Sequence, residues 1–330
     1  MTNPFVFIVG CPRSGTTLLQ RMVDAHPQIA IVPEIDWLAS RYESRAGLTP
    51  EGMVTPQFLS DLRGLGRYTA LPTSPRELEG MIASGRSVSY ADLITWLFGA
   101  HGKIRRKRLV GSKSVGLVVA LRTLHALWPR AKLVHLIRDG RDVGLSAIHW
   151  RRSAKLAQLF ATWNEAPVAT AAVWWEWQVR LAREAGSAMG AGVYYEMKYE
   201  SLVRRPEEAC QALCGFLGVP YDEAMLNFHR SQPQSAPGLD AKHAWLPPTP
   251  GLRDWSRQMS SADVERFEAV AGGLLDEIGY PRATGRPSEG SIEHAARVRR
   301  LFEGRPLPRA WPTDHGATRE LQARDVRDSS

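Results

Sequence analysis

Short, mostly apolar runs alternate with stretches of helical spacing along this chain. Phe5–Val9 has no polar position, which suits a strand buried on both faces. Apolar residues then recur at Leu18, Leu19, Met22 and Val23, the spacing of one helix face. Ile29–Val32, Leu109–Lys113, Lys132–Ile137 and Val193–Tyr199 read as further strands. Helices are predicted over Val118–Trp128, from about Gly140 through Trp150, and over Pro206–Leu217, Asp222–Phe228 and Ser261–Ile278. Pro206 suits a first helical turn and Gly218 a C-cap. The alternation predicts an α/β fold with a mostly parallel, doubly wound sheet.

Between these elements lie less regular segments. Residues 40–107 carry short helical patterns at 55–65, 75–84 and 90–98, punctuated by Pro, Gly and Ser. They read as a helical insertion over the sheet edge, the natural place for an acceptor-binding lid. Lys103–Arg108 is a basic run, read first as solvated surface and second as a ligand contact. Phe160, Trp163, Trp174, Trp175 and Trp177 are concentrated in residues 153–184; packing on the sheet is favoured over a pocket wall. Gln232–Pro250 is a Pro-rich loop. Residues 1–282 are thus expected to form one domain and 283–330 a polar, mobile tail, in which Ser291–Phe302 can form one surface helix.

The first strand runs into Gly10-Cys-Pro-Arg-Ser-Gly-Thr-Thr17, a tight turn feeding a helix N-terminus. Exposed first-turn amides, the hydroxyls of Ser14, Thr16 and Thr17 and the Arg13 guanidinium make such a turn an anion site. Gly10 and Gly15 allow a sharp turn and close approach of a ligand. The spacing is that of the nucleotide phosphate loop, G-x-x-x-x-G-K-[ST], except that Thr16 replaces the lysine. That departure argues against ordinary nucleoside-triphosphate chemistry. Cys11 suggests a cysteine phosphatase loop, but such a loop needs an arginine where Thr17 stands. A tight turn without a ligand is the remaining plain alternative.

Composition narrows the picture. With 44% hydrophobic and 23% charged residues the chain is ordinary for a globular protein. Its net charge of +8 suits ligands bearing several phosphates or sulfates; no nucleic-acid motif accompanies it. Cys11, Cys210 and Cys214 give neither a disulfide framework nor a metal pattern. A strand begins almost at residue 1 and no apolar run nears the roughly 18 residues of a membrane span. A cytoplasmic location without membrane attachment is the expectation.

A second signature is Leu133-Val-His-Leu-Ile-Arg-Asp-Gly-Arg-Asp-Val-Gly-Leu-Ser146. Arg138 ends a strand, and Ser146 lies two turns into the next helix, so both could reach one anion beside the phosphate loop. Together with Pro12-Arg-Ser-Gly-Thr-Thr17, this layout resembles the sulfotransferases that use 3′-phosphoadenosine-5′-phosphosulfate (PAPS), whose fold is of the P-loop type. It is most similar to the tyrosylprotein sulfotransferases and related bacterial enzymes. The resemblance implies that Arg13, Ser14, Gly15, Thr16 and Thr17 hold the 5′-phosphosulfate, and Arg138 and Ser146 the 3′-phosphate. It implies that Glu34, after the second strand, is the general base and that Lys113 stabilises the transferring group. Tyr199-Glu-Ser-Leu202 and Phe216-Leu-Gly218 resemble further family segments, placing Tyr199 at the cofactor. Leu252-Arg-Asp-Trp255 resembles a closing element with a basic residue before the tryptophan; Asp254 stands there instead, leaving Arg253 or Arg257 to contact the cofactor.

The implied reaction is sulfuryl transfer to a hydroxyl or amine of a small-molecule, sugar or peptide acceptor. It needs no metal and releases adenosine 3′,5′-bisphosphate. Two rivals stay open: a P-loop kinase using ATP, and a non-catalytic binder of nucleotides or other anions. Among the histidines, His26 and His135 read as structural, and His149 is the second candidate base after Glu34.

Overall fold

The computed structural model describes residues 5–32, 35, 37–62, 80, 87–150, 153–231 and 246–304. Its sheet is formed by β1 (Val6–Val9), β2 (Ile29–Val32), β3 (Leu109–Lys113), β4 (Lys132–Ile137) and β5 (Tyr194–Lys198). All pairings are parallel, in the order β2-β3-β1-β4-β5. The sheet grows to one side of β1 through β2 and β3, then to the other through β4 and β5. Such a reversal opens a crevice outside the carboxyl ends of the central strands, where open α/β sheets bind ligands.

Period-two alternation divides the interior into two layers. Phe5, Phe7 and Val9 face one side with Val110 and Leu133. Val6 and Ile8 face the other with Ile29, Leu109, Val134 and Leu136. The second layer is covered by α1 (Thr16–Ala25), through Leu19 and Met22. The first is covered by α2 (Tyr90–Arg105), whose Leu93, Leu97 and Phe98 are buried against the strands; the rings of Phe5 and Phe98 meet edge to face at 5.1 Å. A third cluster gathers around α3 (Gly140–Ile148) and α4 (Pro167–Met189). Beyond β5, α5 (Pro206–Leu217) begins on its proline and ends at Gly218 in the left-handed region (φ 71°), as its sequence predicts. Two last helices, α6 (Ser261–Glu277) and α7 (Glu289–Glu303), complete the third cluster.

Several expectations change. The segment 40–107 is not simply a lid, because α2 is itself a core layer under β1; residues 63–79 and 81–86 lie outside the described residues. The basic run lies on the surface, as expected: Lys103, Arg105, Arg106 and Arg108 are exposed, with Arg105 pairing with Asp24 at 3.1 Å, Lys107 donating to the Asp24 carbonyl, and Arg108 reaching Gln28 and the Gly218 carbonyl. These contacts sit where β3 begins, at the opposite end of the strand from Lys113. The single helix expected over Val118–Trp128 is a 3-10 turn, Val115–Val119, followed by a helix over Leu121–Leu127. Ala120 leaves helical space between them, and the β-branched Val118 and Val119 are poor helix formers. The aromatic segment is core: Phe160, Trp163, Trp174 and Trp175 are buried and Trp177 packs against them.

The expected domain boundary at 282 also moves. The surface helix expected within the tail is α7, and its Ala295, Val298 and Phe302 are buried in the cluster of α4 and α6. Phe302 stacks on Phe160 at 5.3 Å, and Arg299 pairs with the half-buried network on Glu176 at 2.5 Å. Residues 305–330 lie outside the described residues. Truncating a buried phenylalanine costs about 3–5 kcal/mol. Phe302→Ala is therefore expected to lower the unfolding free energy by about 3 kcal/mol, read from urea denaturation. A change within experimental error would return α7 to the status of an appended tail.

Candidate active site

The turn between β1 and α1 approaches its neighbours so closely that two positions must be glycine. A Cβ on Gly10 would lie 2.5 Å from the Leu136 carbonyl oxygen of β4. Gly15 has φ 91°, and a Cβ there would meet the Tyr199 ring at 2.5 Å. Arg13, also at positive φ (77°), is held in the same turn, with Ser14 N donating to the Cys11 carbonyl at 3.1 Å. Gly15 caps α1 without a side chain, so the helix amides that follow it gain no side-chain cap. Ser14 is wholly buried, and its Oγ has no hydrogen-bond partner among the described residues. Thr16 is buried and Thr17 half-buried in the first helical turn.

The predicted partners converge on this turn from other strand ends. Lys113 ends β3 beside Ile8 of β1 and is 4% exposed. Arg138 follows β4 and is 6% exposed. Its guanidinium lies 4.3 Å from the Tyr199 ring centroid, and Tyr199 itself starts the short helix Tyr199–Arg204 directly after β5. Gly15, Tyr199 and Arg138 thus form a continuous layer across the strand ends. Burial pushes the Tyr199 hydroxyl up from its ordinary pKa, with Arg138 pulling the other way. Arg138 Nη2 donates to Asp142 Oδ2 at 3.0 Å, while Arg138 Nε is buried with no partner among the described residues. Ser146 Oγ accepts from Arg13 Nε at 3.2 Å, so the two sequence signatures meet through their side chains. Arg13 also lies 5.7 Å from the Trp150 ring.

Other expectations resolve differently. Glu34 follows the end of β2 and lies outside the described residues. Cys11 is buried, its thiol is pushed well up by burial, and Gln178 Nε2 donates to its sulfur at 3.4 Å; this is packing, not a nucleophile. His149 is exposed, and its Nδ1 donates to the Leu145 carbonyl at 2.9 Å. His26 is structural, held by the Pro220 carbonyl and Gln28 N. Arg257 is paired with Asp254 at 3.4 Å with its side chain 85% exposed. Arg253 is half-buried and forms no ion pair among the described residues, so it is the less committed of the two. Asp254 replaces the expected basic residue because it caps the turn Trp255–Gln258, accepting from Ser256 N at 3.1 Å. Among the described residues no group of three or more His, Cys, Asp and Glu could hold a metal ion, and no helix is long and apolar enough to cross a membrane.

The residues that sequence reasoning missed are those that orient the second signature. Arg141 is fully buried. Its Nε and Nη2 grip Asp139 at 3.0 and 2.7 Å, Nη1 donates to Glu268 at 2.6 Å, and Nη2 also reaches the Pro281 carbonyl at 3.0 Å. Trp255 lies 3.6 Å over its guanidinium. Glu200 accepts from Asp139 N at 3.0 Å and from the Tyr280 hydroxyl at 2.6 Å. Asp142 Oδ1 accepts from Trp255 N at 2.9 Å. Burial raises the Asp142 pKa, and Arg138 opposes that shift. The only signal in the sequence was the charge alternation Arg138-Asp-Gly-Arg-Asp142, which by itself reads as a salt-bridged helix start.

Comparison with known proteins agrees with this layout. A profile of the sulfotransferase family matches residues 4–223, more than half of the chain. Protein-tyrosine sulfotransferase A of Caenorhabditis elegans is 27% identical over 232 residues, covering 68% of this chain and 53% of that one. Protein-tyrosine sulfotransferase 1 of Homo sapiens is 25% identical over 308 residues, covering 89% and 76%. The chain therefore spans about half the length of the first relative and three quarters of the second. Among solved structures, a sulfotransferase domain from the curacin biosynthetic pathway superposes with a TM-score of 0.52 at 20% identity, covering 93% of this chain and 99% of that one, a likeness of fold. With a parallel sheet whose strand ends carry both signatures, and a family profile running from β1 past α5, this chain belongs to the sulfotransferase family.

Proposed function

We propose that this chain transfers a sulfuryl group from PAPS to an acceptor hydroxyl and releases adenosine 3′,5′-bisphosphate. The observation that carries the reading is a pair of buried donors without partners among the described residues, Ser14 Oγ in the phosphate loop and Arg138 Nε at the end of β4. Burying a polar group unpaired is costly, and these two atoms, one in the phosphate loop and one at the adjacent strand end, are placed to meet a ligand's acceptors. Two separate anionic contacts suit a nucleotide bearing phosphate at both 5′ and 3′ positions. An ATP-like ligand has no group for Arg138.

When bound, PAPS supplies an activated sulfuryl group on a phosphate leaving group. The loop amides, with Ser14, Thr16 and Thr17, bind its 5′ end, and Arg13 adds charge in the same turn. Arg138 and Ser146 would hold the 3′-phosphate, with Tyr199, packed between Gly15 and Arg138, fixing the arginine's position. Lys113, at the adjacent strand end, offsets charge that grows on the bridging oxygen during transfer. Glu34 accepts the acceptor's proton as attack proceeds. The relatives above are named for protein tyrosine, so a peptide phenol is the acceptor this reading puts first, ahead of sugar and small-molecule hydroxyls. Incubation with labelled PAPS and a panel of those three acceptor classes tests it; no transfer to any of them, with intact donor binding, would favour the non-catalytic alternative.

Calorimetry is expected to show adenosine 3′,5′-bisphosphate bound far more tightly than AMP. Hydrogen bonds to a charged group contribute about 1.5–3 kcal/mol each, so Arg138→Ala is expected to weaken the bisphosphate roughly tenfold to a hundredfold and AMP hardly at all. Equal wild-type affinity for the two nucleotides would sink the 3′-phosphate assignment. Glu34→Gln is expected to leave donor affinity intact and lower turnover by about 10²-fold or more. Wild-type turnover in that variant would move the base to His149. Lys113→Ala is expected to cost turnover more than donor affinity, because its charge is needed most in the transition state. Steady-state kinetics beside direct binding separates the two effects.

A further inference from the structure

One carboxylate joins the two parts of the chain that would surround the 3′-phosphate. Asp142 Oδ2 accepts from Arg138 Nη2 at 3.0 Å, and its Oδ1 accepts from Trp255 N at 2.9 Å. Both Arg138 and Asp142 are buried, with relative exposures of 6% and 8%. Trp255 is held at two further points: its Nε1 donates to Asp139 Oδ2 at 3.1 Å, and its ring covers the Arg141 guanidinium at 3.6 Å. The family profile ends at residue 223, so the Trp255 segment lies beyond it.

We propose that Asp142 is a positioning residue for donor recognition, holding Arg138 by one edge of its guanidinium and the Trp255 segment by its backbone. The inference rests on the PAPS reading above. Held by Nη2, the Arg138 guanidinium keeps its Nε donor uncommitted, and that is the atom left unpaired among the described residues. Held by Trp255 N, the start of the turn Trp255–Gln258 is fixed to the helix that follows the strand end of Arg138. The 3′-phosphate and the Trp255 segment then share one intermediary and must report on each other.

Charge and geometry make opposite predictions here. Asp142 carries a negative charge next to the residue that would grip a phosphate. If only Coulomb forces mattered, neutralising it would tighten anion binding. If position matters, Asp142→Asn weakens binding: the amide can still accept from Trp255 N through its oxygen, but its nitrogen cannot accept from Arg138 Nη2.

The test is calorimetry with adenosine 3′,5′-bisphosphate and AMP on wild type, Asp142→Asn, Arg138→Ala and the double variant. Asp142→Asn is expected to weaken the bisphosphate about tenfold and AMP less than twofold. Added to Arg138→Ala, it is expected to weaken the bisphosphate no further, because it acts through that arginine. Unchanged or tighter bisphosphate binding in Asp142→Asn overturns the proposal, as does a full additive loss in the double variant, which marks a merely structural role. Absence of bisphosphate preference in wild type overturns the PAPS reading as well, and so differs from failure of the proposal alone. A second measurement needs no variant: hydrogen exchange in wild type, by mass spectrometry of a peptide spanning residues 251–258. Bisphosphate, and not AMP, is expected to slow exchange at Trp255; equal protection by both nucleotides, or none, overturns the proposal.

Discussion

A guanidinium without solvent exposure holds the second signature in place. Removing Arg141 from water is costly, and the structure offsets that cost with bonds to Asp139, Glu268 and the Pro281 carbonyl and with the face of Trp255. Glu268 is in turn fixed by Ala283 N, Thr284 N and the Thr284 hydroxyl. A fully paired buried ion network adds little net stability over apolar packing, but breaking one member leaves a charge stranded. Its effect is therefore on position. It ties the N-terminus of α3 to α6, to the chain after Tyr280 and to the Trp255 turn, all of which border the strand end carrying Arg138.

The other half of the site depends on steric closeness rather than charge. The phosphate loop lies against β4 and Tyr199 at distances that leave no room for a Cβ on Gly10 or Gly15. Tyr199 then backs Arg138, and Arg13 reaches across to Ser146. Arg138 and Arg13, two of the candidate ligand contacts, are thus each positioned by a residue from another element. This suits sulfuryl transfer, in which the protein does little covalent chemistry and contributes mainly through placement and preset charge.

Elements with strong local signals were legible before the fold was known. The apolar runs at residues 5–9, 29–32, 109–113, 132–137 and 193–199 correspond to β1 to β5 within a residue or two at either end. Pro206 and Gly218 bound α5 because their backbone preferences act locally. Signals that depend on distant partners read poorly. The basic run is exposed, as its charge suggests, but its partners Asp24, Gln28 and the Gly218 carbonyl are far away in the chain and could not be named from it. The helix over Glu289–Glu303 looked like an appendage because Phe160 and Phe302 are separated by most of the C-terminal half.

By itself the sequence determined the five strands, the sharply bounded helices such as Pro206–Leu217, and where two anion-binding signatures lie, because periodicity, turn chemistry and loop spacing involve residues close in the chain. It also determined the chemistry on offer: hydroxyls and amides at one strand end, arginine at another, lysine at a third. Only the tertiary structure decided the strand order β2-β3-β1-β4-β5, and with it which strand ends are neighbours. It alone decided that Ser146 meets Arg13, that Tyr199 lies between Gly15 and Arg138, and that Asp142 bridges Arg138 and Trp255. Pairings across more than a hundred residues leave no periodic trace, because each is set by the register and twist of a whole sheet rather than by the residues that meet.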